Sequence, residues 1–163
     1  MSINGGRMKD LILMAGLVLV FSPVSLAASP KISKAFNPTS IVVNEFATLV
    51  IEFLNQNSNV ARFTAPFNET LPDNMVILGS GSTSCGGILT AEPGGKKLTL
   101  ARGKIPAYGS CYIQLGVTAT KVGSFTSLTP AAALQTDKGI NLLASDVTLT
   151  VTNKKKSTVK KSF

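Results

Sequence analysis

The chain has 163 residues, 44% of them apolar and only 15% charged, with Lys and Arg outnumbering Asp and Glu by 16 to 8. That length suits one ordinary domain, and that apolar content excludes a disordered or fibrous chain. The chain has no His and no Trp, so it excludes Ser-His-Asp and Cys-His triads, His-based metal clusters and the commonest acid–base side chain near neutral pH.

The first element is an export signal. Arg7 and Lys9 form a positive start, and Leu11 to Phe21 is an unbroken apolar run that Ser22-Pro23 ends. A bilayer span needs about 20 apolar residues, so this run is short for a permanent anchor. Ser25-Leu26-Ala27 places small residues at −3 and −1 of a cleavage site, which predicts a signal peptide over residues 1–27 cut after Ala27. The segment before Arg7 adds nothing to this signal, so Met1 and Met8 are both acceptable starts. Export implies the periplasm, the cell envelope or the medium, and no integral membrane segment after cleavage.

Short alternating runs separated by Gly, Pro, Asn and Ser follow, and no long stretch has helical periodicity. Strands are predicted over Ile32 to Phe36 and Ile41 to Val43, then over Phe46 to Asn55, where Leu49, Ile51 and Phe53 share one face. Further strands are predicted over Val60 to Phe67, Met75 to Leu78 and Ile88 to Ala91. Leu98 to Leu100 pairs back through the turn Glu92-Pro93-Gly94-Gly95. Gly79 to Gly87 reads as a loose loop. Cys111 to Ala119, Phe125 to Leu128 and Asp146 to Val151 complete the set, after a long connection from Thr129 to Ser145 with a weak strand near Leu134. The fold class is therefore all-β, an immunoglobulin-like antiparallel β-sandwich over residues 28–152.

Residues 153–163 form a basic tail carrying Lys154, Lys155, Lys156, Lys160 and Lys161. The body before it has nine cations and seven anions, so the basic character belongs to the tail. Such a run is either a solvated, disordered end or a weak electrostatic contact for anionic surfaces.

Cys85 and Cys111 are an even pair in an exported chain, which reads as a disulfide. The alternative, a metal site, needs carboxylate help that nothing near them offers. In the chain-entropy view such a loop contributes roughly 3.5 kcal/mol.

Other chemistry finds little support. Gly79-Ser80-Gly81-Ser82 lacks the phosphate-loop pattern and reads as a strand connection. A Ser–Lys pair is the remaining nucleophilic option, but the lysines stand in polar turns or the tail, where nothing would depress their pKa. The seven acids of the mature chain are scattered, and no calcium-loop spacing surrounds Asp73 or Asp137. Asn68-Glu69-Thr70 matches a glycosylation sequon, which matters only in a eukaryotic secretory route. No catalytic, cofactor or metal residue is assigned.

Lys31-Ile32-Ser33-Lys34-Ala35-Phe36-Asn37-Pro38, Phe67-Asn68-Glu69-Thr70-Leu71-Pro72, Ser84-Cys85-Gly86-Gly87, Glu92-Pro93-Gly94-Gly95, Gly103-Lys104-Ile105-Pro106 and Gly109-Ser110-Cys111 stand in that order. Together they resemble an uncharacterised bacterial immunoglobulin-like repeat of large secreted and surface proteins, over roughly residues 30 to 151. The resemblance implies a β-sandwich, an extracytoplasmic place and no known catalytic residues. The function expected is a non-enzymatic structural or binding module at or outside the bacterial envelope, contacting an unidentified protein or envelope polymer and no specific nucleic acid. The alternative is a basic accessory protein attached to anionic polymers through its tail.

Overall fold

The computed structural model describes residues 27–154. The predicted signal segment, apart from Ala27, and Lys155, Lys156, Lys160 and Lys161 lie outside the described residues.

In chain order the strands begin with β1 (Lys31–Asn37), β2 (Ser40–Val42), β3 (Phe46–Asn55), β4 (Ala61–Arg62) and β5 (Phe67–Thr70). They continue with β6 (Met75–Ile77), β7 (Ser82–Thr83), β8 (Ile88–Ala91), β9 (Lys97–Ala101) and β10 (Lys104–Ile105). The last are β11 (Gly109–Ala119), β12 (Gly123–Thr129), β13 (Gln135–Thr136), β14 (Gly139–Ile140) and β15 (Ser145–Thr152). No described helix is long and apolar enough to cross a membrane.

One sheet has the order β1-β3-β11-β6, with β7 also against β11; the second has the order β12-β15-β2. A smaller sheet, β5-β9-β8, adds to the assembly. The first strand is split between the two main sheets. β1 pairs antiparallel with β3, the chain kinks at the cis bond Asn37-Pro38, and β2 then pairs parallel with β15.

The core follows from two-residue alternation. Leu49, Ile51 and Phe53 on β3 and Ile113, Leu115 and Val117 on β11 are buried on one shared face. Phe67 on β5 meets Phe53 edge-on at 4.9 Å between ring centroids, and Phe63 meets the same ring at 5.5 Å. Each fully buried side chain of this size contributes roughly 1.5–3 kcal/mol of transfer free energy.

Three sequence expectations change. The strand predicted from Val60 to Phe67 is broken into β4 and β5: the Phe63 N–H still donates to the Gly103 carbonyl at 2.9 Å while Phe63 also bridges Thr136, and Pro66, which has no N–H to donate, stands just before β5. The loose loop from Gly79 to Gly87 contains β7, which adds to β11. The long connection after Thr129 folds into the β13–β14 hairpin, with Leu134 fully buried.

Candidate functional site

Four polar side chains converge inside the sandwich, and each occupies an inward position of its strand. On β1 the inward residues are Ile32, Lys34 and Phe36; on β5 and just beyond it they are Phe67, Glu69 and Leu71. On β12, Ser127 and Thr129 are fully buried. The side chains of Lys34 and Glu69 are 0% and 1% exposed.

Lys34 Nζ donates to Glu69 Oε1 at 2.8 Å, to Ser127 Oγ at 2.6 Å and to Thr129 Oγ1 at 3.1 Å. Ser127 Oγ donates to Glu69 Oε1 at 2.7 Å, and Thr129 Oγ1 donates to Glu69 Oε2. The ammonium thus has three acceptors, and both carboxylate oxygens are engaged. No buried side-chain polar atom among the described residues lacks a partner. Burial pushes the Lys34 ammonium below the usual lysine range; the hydrogen bond and charge of Glu69, and the charge of Asp146, oppose the shift.

This cluster corrects the expectation that every lysine lies in a polar turn or the tail. Lys34 stands in β1 because the strand's alternation carries it inward, and the resulting cost is offset in part by Glu69 and two hydroxyls. Glu69, read from the sequence as one of several scattered acids within a sequon, is the counter-ion. The signal was available: a charged residue at an inward position between apolar neighbours, on two strands at once.

Cys85 and Cys111 form a disulfide, with Cα atoms 5.0 Å apart. The thiols are therefore not a metal pair. The bond joins the segment before β8 to the start of β11, and both residues are buried. Gly86 and Gly87 turn the chain away from it at φ +64° and +77°. At Gly87 a Cβ would stand 2.2 Å from the Ala101 carbonyl oxygen, so only glycine fits there.

The remaining sequence candidates are separate from this cluster. Gly79-Ser80-Gly81-Ser82 runs into β7, which pairs with β11. Asp73 pairs with Lys96 Nζ at 2.6 Å, and Asp137 Oδ1 accepts from the Arg62 N–H at 2.9 Å. Among the described residues no group of three or more His, Cys, Asp or Glu could hold a metal ion. Lys154 is exposed just beyond β15. A cleft of about 410 Å³ lies between Ser29–Ile32, leading into β1, and the segment Asn141–Ala144, where Leu142 and Leu143 are 67% and 80% exposed. Its lining is mainly apolar, with Ser29 and Asn141 as polar residues and Lys31 as the one charged residue.

The fold is shared with solved bacterial proteins of distant sequence. A bacterial hydrophobin, BslA, aligns at a TM-score of 0.53 with 12% identity, over 79% of this chain and 98% of the other. A cohesin module from a family 33 glycoside hydrolase of Clostridium perfringens aligns at 0.56 with 12% identity, over 77% and 98%. No curated protein sequence matches the chain. The family described as a domain of unknown function, DUF7933, matches residues 30–151. The chain belongs to that family.

Proposed function

We propose that this member of a family of unknown function is an exported, non-enzymatic β-sandwich that serves as a structural or binding module at the bacterial envelope or outside it. The observation that carries the reading is the sealing of its chemistry. Among the described residues, the one place where a lysine, a carboxylate and hydroxyls meet has no exposed side-chain surface on Lys34 and almost none on Glu69. A soluble substrate has no approach to it. The disulfide supports export, because such bonds persist in oxidising compartments. The hydrophobin and the cohesin module lend the reading support by fold alone.

Fractionation of producing cells tests it. The protein is expected with the periplasm, envelope or medium, and the purified protein is expected to turn over no ester, peptide or glycoside. A cytoplasmic protein, or turnover abolished by one substitution, would overturn the reading.

The second reading, electrostatic attachment through the tail, is favoured by the placement of five lysines in the last ten residues beyond a nearly neutral body. Each Lys near an anionic membrane contributes about 1 kcal/mol, so the attachment is reversible and salt-sensitive. Removing residues 154–163 leaves β15 whole. It is expected to abolish retention on anionic vesicles at low salt, whereas equal retention would exclude a role for the tail.

A further inference from the structure

We propose that Lys34 and Glu69 join in an intramolecular amide bond, a cross-link that the chain forms on itself between β1 and β5. The geometry of the buried cluster carries this. Lys34 Nζ stands 2.8 Å from Glu69 Oε1. With a carbon–oxygen bond of about 1.2 Å, the carboxyl carbon is within about 4 Å of the amine, near the roughly 3–3.5 Å of a near-attack arrangement. Two strands hold the reactants, so no diffusive encounter is needed, and intramolecular positioning of this kind supplies much of a condensation barrier.

The hydroxyls supply the proton path. Lys34 Nζ donates to Thr129 Oγ1, which itself donates to Glu69 Oε2. Passing one proton along this relay converts ammonium and carboxylate into amine and carboxylic acid. The Nζ lone pair then attacks the carboxyl carbon, while Ser127 Oγ hydrogen-bonds Oε1, where negative charge develops. A second proton follows the same relay to Oε2, the C–Oε2 bond breaks, and water leaves. One N–C bond forms and one C–O bond breaks; two protons from nitrogen depart with one carboxylate oxygen. Net charge is unchanged and no oxidant or reductant enters.

The driving force is the environment. Two ions buried away from water carry a desolvation cost that their attraction offsets only in part. A neutral amide removes both charges from the interior. Burial also favours the unprotonated amine that the attack requires.

The test is the mass of the exported, folded product, from its observed N-terminus to Phe163, after reduction of its disulfide. The expected mass is one water below the sequence mass. Proteolytic mapping is expected to find a branched peptide containing both Lys34 and Glu69. Lys34→Met is expected to restore the full mass. If that variant does not fold, the paired variant Lys34→Met/Glu69→Leu replaces it, and the wild-type peptide map decides independently. Full mass after prolonged incubation of the folded wild type at neutral pH would overturn the proposal. So would a missing water that maps elsewhere, such as to Asp137 or Asp146.

Discussion

Asn57 holds Ala28 by both of its backbone polar groups. The Ala28 N–H donates to Asn57 Oδ1 at 2.7 Å, and Asn57 Nδ2 donates back to the Ala28 carbonyl at 2.8 Å. A side-chain amide here takes the place of a neighbouring strand. Asn57 is itself held by Asn55, whose Oδ1 accepts from both nitrogens of Asn57. The predicted cut after Ala27 would turn the Ala28 N–H into an ammonium, a stronger charge-assisted donor to the same oxygen. The exported product is expected to begin at Ala28, as N-terminal mass spectrometry would read. A product retaining its first 27 residues would refute the signal-peptide reading.

Breaking the Cys85–Cys111 bond loosens a 26-residue separation within the core. Cys111→Ser is expected to destabilise the domain by about 2–5 kcal/mol, the usual effect for small secreted domains. Denaturant unfolding measures this. Alkylation of the unreduced, denatured wild type is expected to label neither cysteine.

Removing one partner of the buried pair should cost more than removing both. Lys34→Met strands Glu69 in the interior and is expected to lose about 3–5 kcal/mol. The variant Lys34→Met/Glu69→Leu carries no stranded charge and is expected to be more stable than either single variant. Strict additivity in a double-mutant cycle would show that the two residues do not act as a unit.

Gly87 and Gly94 share a left-handed backbone but differ in their surroundings. A Cβ at Gly87 collides with the Ala101 carbonyl, whereas at Gly94 it meets nothing within 4 Å. Gly94→Ala therefore carries the backbone cost alone, roughly 1–3 kcal/mol. Gly87→Ala adds the collision and is expected to show the clearly lower Tm.

Asp73 titrates below the usual carboxylate range because Lys96 hydrogen-bonds it and stands beside it as a positive charge. A carboxyl depressed in the folded state stabilises it above the unfolded pKa, and that contribution is lost as pH falls through the folded value. Both side chains are substantially exposed, so the effect on stability is small. The carboxyl titration followed by NMR is expected to shift upward in Lys96→Ala. An unchanged titration would mean that Lys96 does not set it.

Strand periodicity and turn residues made much of this fold readable. Phe46 to Asn55 and Ile88 to Ala91 were predicted with the bounds observed. Glu92-Pro93-Gly94-Gly95 announced the β8–β9 hairpin, which pairs Ala91 with Leu98. Less readable were contacts set by the other sheet. Nothing local to Val60–Phe67 says that Phe63 will bridge Thr136, and nothing in Ser82-Thr83 says that β11 has a free edge there. Lys34 is a different kind of miss. Its inward position follows from Ile32 and Phe36, but an alternation read for its apolar members passes over the lysine between them. That Glu69 answers it depends on two strands meeting across the core.

The split first strand determines how the domain would respond to pulling. Lys31 opens β1 opposite Leu54 near the end of β3, whereas Thr152 closes β15 beside Val42, just before the turn into β3. The described chain thus enters at one pole of the sandwich and leaves at the other. Tension between those poles acts along β2 and β15, which run parallel, and slides them past each other. Their hydrogen bonds then share the load and must fail together, instead of opening one at a time from an end. Stretched between two attachments, the domain is built to resist shear along its length.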